Sequence, residues 1–321
     1  MAVAAPDYTT DQSALSLVKS VYRHALSPNA VNLLQPEDVI AFLDEELRST
    51  VVPLILAAQE EYYVQNYDQA VQIGVYSYSI PPRAAFATWR DIVFVDPNGN
   101  EINMTNLPPE YLKVTYPAGG MPPLYTFGFV MQNDHILLWP PNGSLPTNYI
   151  LRMKIKRRPN NLTSVDNCGQ ITAIDTNTNQ VTLANAPADW TTSTTFDIIP
   201  NSPQFTSRGD DQTISAITGN ILTFDSLPTG MIVGDWVCPA RMSCVPQIPY
   251  DMFSLLVQRG VVRMLEALGD TQNLQIAERR YQDMAVDFAR TVSPRVEGTP
   301  KKIVSRNTPA WWGALSYPFS R

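Results

Sequence analysis

The chain has 321 residues, 44% of them hydrophobic and 17% charged. This length and balance exclude a wholly disordered protein and suffice for one or two buried cores. The net charge is −7. The chain has only two histidines and three cysteines, too few to favour a histidine-based zinc site, a histidine base or a disulfide scaffold. The longest apolar stretch, residues 51–58, is far shorter than the ~20 residues of a membrane helix, and the start lacks a signal-peptide pattern. We expect no membrane insertion or export, and free thiols in a reducing compartment.

Residues 1–70 are predicted to be helical. Residues 9–12 (TTDQ) have the spacing of a capping box, and a 3.6-residue apolar period continues to about Leu26. Pro36, followed by two acids, indicates a second helix start. Thr50 can cap a third helix, with Pro53 tolerated in its first turn.

Residues 71–164 are predicted to form a β segment. Val71, Ile73 and Val75 alternate with Gln72 and Gly74, as in a strand with one buried face. Residues 92–95 (IVFV) then run into residues 96–99 (DPNG), a turn sequence that favours a hairpin.

The last strand of this segment is unusual because its apolar residues Leu151, Met153 and Ile155 alternate with basic ones. Its basic side chains are Arg152, Lys154, Lys156, Arg157 and Arg158. We call residues 150–158 the basic strand; the stretch has five basic and no acidic side chains. Two interpretations stay open: an edge strand that repels edge-to-edge pairing, or a surface that faces DNA phosphates or another subunit.

Residues 165–240 are predicted to form an inserted β module, rich in threonine and asparagine, with an internal repeat. Residues 171–174 (ITAI) recur as 214–217 (ISAI), and residues 179–187 (NQVTLANAP) recur as 220–228 (NILTFDSLP). Two similar hairpins in one small barrel or sandwich account for this pattern.

Residues 241–293 return to a helical period and are predicted to form a hairpin of two helices that packs on the N-terminal helices. Gly269 stands where a left-handed C-cap residue belongs, and Asp270 caps the next helix.

Residues 294–321 have no periodicity and are predicted to be an extended docking arm. Its basic and aromatic residues are Lys301, Lys302, Arg306, Trp311, Trp312, Tyr317 and Phe319. Trp311 and Trp312 either fold back on the chain's own core or anchor the arm in a partner's groove.

No motif for catalysis, a cofactor or a metal is apparent. The chain has no phosphate-binding glycine loop, and residues 143–146 (GSLP) fail the pattern of a serine-hydrolase elbow. Neighbouring acids such as Asp210 and Asp211 are typical of solvated turns. Cys238 and Cys244 bracket the exit of the β module and are expected to pack as small hydrophobic residues.

The order of these elements resembles the head-to-tail adaptor (connector) proteins of tailed bacteriophages, in particular short-tailed ones. The resemblance is carried by residues 75–81 (VYSYSIP) after the N-terminal helices, by the hairpin at 92–99, by residues 149–159 (YILRMKIKRRP) and by the helix junction at 265–270 (LEALGD). It extends over most of residues 10–295, through pattern and order. Smaller adaptors lack the 165–240 module.

The resemblance implies an α+β fold: a bundle of N- and C-terminal helices, a central antiparallel β segment, the inserted module and the arm. It implies a non-enzymatic virion protein, assembled in the host cytoplasm and located at the head–tail junction. There it would form a ring of about twelve subunits between the portal protein and the next tail component. The ring would extend the DNA channel and contact passing DNA without sequence specificity, and the arm would dock on the portal or a neighbouring subunit.

Two other functions remain open at this stage. One is a carbohydrate- or receptor-binding structural protein in which Trp190 or Trp236 of the module stacks on a sugar. The other is a glycoside hydrolase that uses two of the module's aspartates.

Overall fold

The computed structural model describes residues 13–25, 33–59, 61–72, 74–110, 128–139, 148–201 and 207–292. The capping box at residues 9–12 and the whole predicted docking arm lie outside these ranges. Within them, none of the helices combines the length and the apolar character that crossing a bilayer requires. The architecture is α+β, as predicted.

The helical body is built from both ends of the described chain. Its helices are α1 (Ala14–Ala25), α2 (Pro36–Glu46), α3 (Val52–Ala58), α4 (Phe253–Leu268) and α5 (Thr271–Val292). Apolar residues of α1 to α4 share one buried core, which α5 covers with Ala277 and partly buried side chains. Helices α1, α2 and α4 pack closely at Gly260. A Cβ atom added there would lie only 2.7 Å from the Leu43 side chain and 3.0 Å from the Val21 side chain.

The ends of several helices agree with the sequence. Pro36 is the first residue of α2, and the Asp38 carboxylate accepts a hydrogen bond from the Gln35 amide at 3.1 Å. Gly269 ends α4 in the left-handed conformation (φ 71°), which glycine adopts without a Cβ penalty. Asp270 accepts a hydrogen bond from the Asn273 amide at 3.2 Å, which confirms its capping role.

Residues 47–70 differ from the prediction. A π-helical turn, Leu47–Val51, joins α2 to α3 without a break, so the predicted second and third helices form one continuous unit. Strand β1 (Val64–Ala70) occupies the end of the segment that was predicted to be helical. It pairs with the basic strand along its full length, and this long-range pairing overrides its local sequence.

Two four-stranded sheets form the β segment. The first has the order β1-β8-β3-β4, with β3 at Ala84–Val95, β4 at Glu101–Asn103 and β8 at Ile150–Arg157. The second has the order β2-β7-β6-β5, with β2 at Ser77–Ser79, β5 at Thr105–Asn106, β6 at Gly128–Gln132 and β7 at His135–Trp139. Their apolar faces share one core.

Local details of this segment partly match the sequence. The hairpin of β3 and β4 turns at residues 96–99 as predicted, with Gly99 at a φ of 87°. Asp96 holds the turn by accepting hydrogen bonds from the amides of Asn98 and Asn100, both at 2.8 Å. The strand that was predicted to begin at Val71 does not form in the described residues. Val71 and Val75 instead lie in the connection between β1 and β2.

The β module contains a seven-stranded sheet with the order β13-β12-β16-β10-β11-β15-β14. Its strands are β10 (Gly169–Asp175), β11 (Gln180–Leu183), β12 (Phe196–Ile199), β13 (Gly209–Gln212), β14 (Ile214–Thr218), β15 (Ile221–Phe224) and β16 (Trp236–Pro239). The edge strands β13 and β14 are separated only by Thr213, so the two edges meet and the sheet is a nearly closed barrel. At its base, β9 (Asn161–Leu162) pairs in parallel with β17 (Met242–Ser243).

The sequence repeat forms two matching hairpins, β10–β11 and β14–β15, related by a local pseudo-twofold axis. Strands β11 and β15 pair through equivalent residues, with Val181 opposite Leu222. The Leu183 amide donates to the Asn220 carbonyl at 2.8 Å, and the equivalent Phe224 amide donates to the Asn179 carbonyl at 2.9 Å.

Each hairpin also has a β-bulge at the same position. The pairing register shifts between Ile171 and Ala173 in one hairpin and between Ile214 and Ala216 in the other. The hydroxyl inside each bulge donates to the partner strand, Thr172 to the Thr182 carbonyl at 3.0 Å and Ser215 to the Thr223 carbonyl at 3.2 Å. The repeat is therefore a structural duplication down to its irregularities.

Candidate functional site: the basic strand and the root of the β module

The basic strand, which contains β8, lies in the interior of its sheet. It pairs with β1 on one side and with β3 on the other. The interpretation as an edge strand that repels edge-to-edge pairing is therefore wrong. The strand's period predicted one apolar and one polar face, and Leu151, Met153 and Ile155 are indeed buried in the segment's core.

The polar face of the basic strand is covered by acids from β1 and β4. Arg152 donates to both carboxylate oxygens of Asp68 on β1, each at 2.8 Å, and to Glu101 on β4 at 3.1 Å. Lys154 also contacts Glu101, with Nζ 2.5 Å from the carboxylate. Hydrogen bonds from Lys154 and Arg152 lower the pKa of Glu101. Arg152 and Lys154 are thus neutralised within the chain; Lys156 lies half-buried on the same face.

Arg157 does not lie on the polar face with the other basic residues of the strand. Arg157 falls on the apolar side of the strand by its alternation, and its side chain is 1% exposed. Its guanidinium donates to Asp210 at 2.5 Å and to the Ser207 hydroxyl at 2.8 Å. Burial lowers the pKa of Arg157, and the Asp210 charge opposes this. Arg158 is exposed, and its amide donates to the Arg83 carbonyl at 2.7 Å.

Asp197 on β12 is the centre of a buried ionic cluster at the root of the β module. Its carboxylate is fully buried and accepts two hydrogen bonds from Arg83, at 2.8 and 3.0 Å. Asn160, in the link between β8 and β9, donates to the same carboxylate at 2.7 Å. Arg83 also donates to both oxygens of Asp211, at 2.6 and 2.9 Å. We call Arg83, Arg157, Asn160, Asp197, Asp210 and Asp211 the root cluster.

Two backbone amides complete the shell of Asp197. Asp211 and Arg241 both have left-handed backbones, with φ of 50° and 66°, a region that side chains other than glycine rarely adopt. Each donates its amide hydrogen to the Asp197 carboxylate at 2.9 Å. The buried charge thus fixes the end of β13 and the turn between β16 and β17.

The root cluster joins segments that are remote in sequence. Arg83 precedes β3, Arg157 ends β8, and the aspartates belong to the module. Asn160 also extends the network inward. Its backbone amide donates to the side-chain oxygen of Gln247 at 2.7 Å. The backbone carbonyl of Gln247 in turn accepts a hydrogen bond from the Tyr63 hydroxyl at 3.1 Å. This geometry is that of a rigid joint between the module and the rest of the chain.

The sequence did not predict this cluster. Asp210 and Asp211 were expected to be solvated turn acids, and they are instead ion-paired with Arg157 and Arg83. Ion pairs of this cluster form only between segments that folding brings together, since Arg83 and Asp197 are 114 positions apart in the sequence. The charge asymmetry between basic strand and acidic module was the one available signal.

The tryptophans on which the carbohydrate-binding alternative depended are both largely buried. Trp190 is 8% exposed and packs edge-on against Phe196, with ring centroids 4.7 Å apart. Trp236 is 9% exposed, and its indole nitrogen donates to Asn201 at 3.0 Å. This burial leaves little of either ring for a sugar to stack on.

The three cysteines of the chain meet beside the root cluster. Cys168, Cys238 and Cys244 are all buried, and their sulfur atoms lie within 4.8 Å of one another. Burial alone would raise the pKa of Cys238, but hydrogen bonds from the thiols of Cys168 and Cys244 lower it below its ordinary value. Cys238 and Cys244 are buried, as expected for small hydrophobic residues, but the sequence did not predict that Cys168 joins them.

Comparison with known proteins adds no identification. No protein-family model matches the chain, and no curated protein matches it. The docking-arm residues predicted from the sequence lie outside the described residues.

Proposed function

We propose that the chain is a structural virion protein, a head-to-tail adaptor that forms a ring between the portal protein and the next tail component of a bacteriophage. The adaptor is non-enzymatic, extends the DNA channel and resides at the head–tail junction. Its docking arm, residues 294–321, attaches it to the portal or to a neighbouring subunit.

The observation that supports this proposal best is the way in which the parts of the chain are fixed to one another. Helices from both ends of the described chain share one core, and the inserted β module is fixed to the β segment through the root cluster. A protein that transmits force between a capsid and a tail needs such fixed joints, whereas a loosely tethered module would move independently. The resemblance in element order supports the same function.

The pattern of charges disfavours DNA contacts for the basic strand. Arg152 and Lys154 are already paired with Asp68 and Glu101, so phosphate binding would have to displace these carboxylates. DNA passing through the ring would then meet little free positive charge on this face, which suits a channel that must not retain DNA.

A reconstitution experiment tests the proposal. We expect the purified chain, mixed with purified portal rings, to form a complex with about one copy per portal subunit, measured by native mass spectrometry and seen as an added ring by electron microscopy. Failure to bind portal rings at both low and moderate salt would contradict the proposal.

The docking arm is tested separately by deleting residues 296–321. The truncated chain is expected to keep the melting temperature of the full chain but to lose attachment to the portal or neighbour. The paired variants Trp311→Ala/Trp312→Ala and Lys301→Ala/Lys302→Ala distinguish aromatic anchoring from charge attraction. A truncated chain that fails to fold, or that still attaches, would contradict the docking role of the arm.

A further inference from the structure

The cysteine cluster lies where the β module leaves and rejoins the rest of the chain. Cys168 directly precedes β10, Cys238 lies on β16, and Cys244 directly follows β17. Strands β10 and β16 pair with Gly169 opposite Val237, and continuing this register by one residue places Cys168 opposite Cys238. The short β17 then brings Cys244 back to the same point.

A third connection ties the cluster to the helical body. The Cys244 carbonyl accepts a hydrogen bond from the amide of Ala14, the first residue of α1, at 2.7 Å. The cluster thus touches the module's entry, its exit and the start of the helical body, three places whose relative position the fold must maintain.

The donor set suits a soft cation. Three thiolates bind Zn²⁺ or Cu⁺ in preference to hard cations, and metal–sulfur bonds of about 2.3 Å require sulfur separations of roughly 3.7–4.0 Å. The observed sulfur atoms lie within 4.8 Å of one another, so small side-chain rotations bring them into range. The cluster's packing neighbours are apolar: Val165, Ile199, Trp236 and Val245. These side chains exclude water and would protect a metal–thiolate bond.

We propose that Cys168, Cys238 and Cys244 form a structural site for one thiophilic d¹⁰ cation, Zn²⁺ or Cu⁺, which clamps the root of the β module to the helical body. Binding displaces the thiol protons to solvent and leaves three metal-bound thiolates. The clamp would supplement the root cluster, because Cys238 on β16 pairs directly with Asp197 on β12.

The first test measures metal in the full chain. The chain, expressed with zinc or copper in the medium and purified without chelator, is expected to contain about one metal ion per chain by elemental mass spectrometry, which also distinguishes zinc from copper. Removing the metal is expected to lower the melting temperature by several degrees, and returning one equivalent is expected to restore it. Loading the metal-free chain with Co²⁺ is expected to give a sulfur-to-metal charge-transfer band in the near ultraviolet.

Two variants distinguish a metal site from simple packing of the three cysteines in the core. Cys238→Ser is expected to lower the metal content at least tenfold. Val245→Ala is the matched control, since it removes buried apolar volume from the same cluster and is expected to lower the melting temperature while leaving metal content unchanged.

If Cys238→Ser does not fold, titration of the metal-free wild-type chain with Zn²⁺ or Cu⁺ and a count of its reactive thiols test the same site. A metal-free chain with three reactive thiols after unfolding, and no change in melting temperature with added Zn²⁺ or Cu⁺, would overturn the proposal. A count of one reactive thiol would also overturn it, because two of the cysteines would then form a disulfide.

Discussion

The two ionic clusters near the basic strand differ in burial, and this difference separates their roles. On the polar face, Arg152 is about a quarter exposed, and its partners Asp68 and Glu101 are more than a third exposed. At the root of the module, Asp197 is fully buried and Arg83 is 11% exposed. Exposed ion pairs contribute about 0–1 kcal/mol each, whereas breaking a buried pair leaves a charge without compensation.

The same run of basic residues therefore serves two purposes. Alternation along β8 sends Arg152 and Lys154 to the surface, where they pair with acids of β1 and β4, and sends Arg157 inward to Asp210. The surface pairs neutralise a face; the buried pairs fix the module. Substitutions at the two clusters should therefore have effects of different size.

The largest effect is expected at Asp197. Asp197→Ala removes the acceptor of five hydrogen bonds and leaves the Arg83 guanidinium without its most buried partner, so we expect a loss of about 3–5 kcal/mol in the free energy of unfolding. Urea unfolding followed by circular dichroism measures it. Asp68→Ala is the matched control in the exposed cluster, and a similar loss in both variants would contradict the distinction between the clusters.

A buried acid in the helical body offers an intermediate test. Glu46 is 1% exposed and lies 2.5 Å from both Arg259 and Arg263 of α4. Burial would raise its pKa, but hydrogen bonds from Arg259 and Thr50 lower it below the ordinary value of 4.5. We expect Glu46→Gln to cost about 2 kcal/mol at neutral pH.

The pH dependence of this effect has a definite sign. A depressed pKa in the folded state stabilises the protein above the ordinary value of 4.5 and loses this contribution as the pH falls through the folded pKa. The stability of the wild-type chain should therefore decline more steeply below about pH 4.5 than that of Glu46→Gln. Parallel pH profiles from urea unfolding would contradict the assignment.

The smallest effect is expected on the polar face of the basic strand. A double-mutant cycle of Arg152→Ala and Asp68→Ala should give a coupling energy below about 1 kcal/mol, and added salt should reduce it further because the pair is partly exposed. Thermal unfolding at low and high salt measures it. A coupling above 2 kcal/mol that salt does not change would show that this face is as well insulated as the root cluster.

The sequence predicted those features that depend on neighbouring residues. Gly269 and the turn at residues 96–99 have local signals, and the repeated hairpins were visible because the sequence itself repeats. The strand β1 and the root cluster were missed, since Val64–Ala70 becomes a strand only by pairing with β8, and Asp197 meets Arg83 only in the folded chain. Cys168 and Cys238 likewise meet only when β10 and β16 pair.

The proposed function is tested most directly by the copy number of the chain in purified phage particles, measured by quantitative mass spectrometry against the portal protein. The adaptor proposal predicts a ratio near one, as a ring matched to the portal requires. Absence of the chain from the particle, or a large excess over the portal protein as in a capsid or decoration protein, would contradict the proposal.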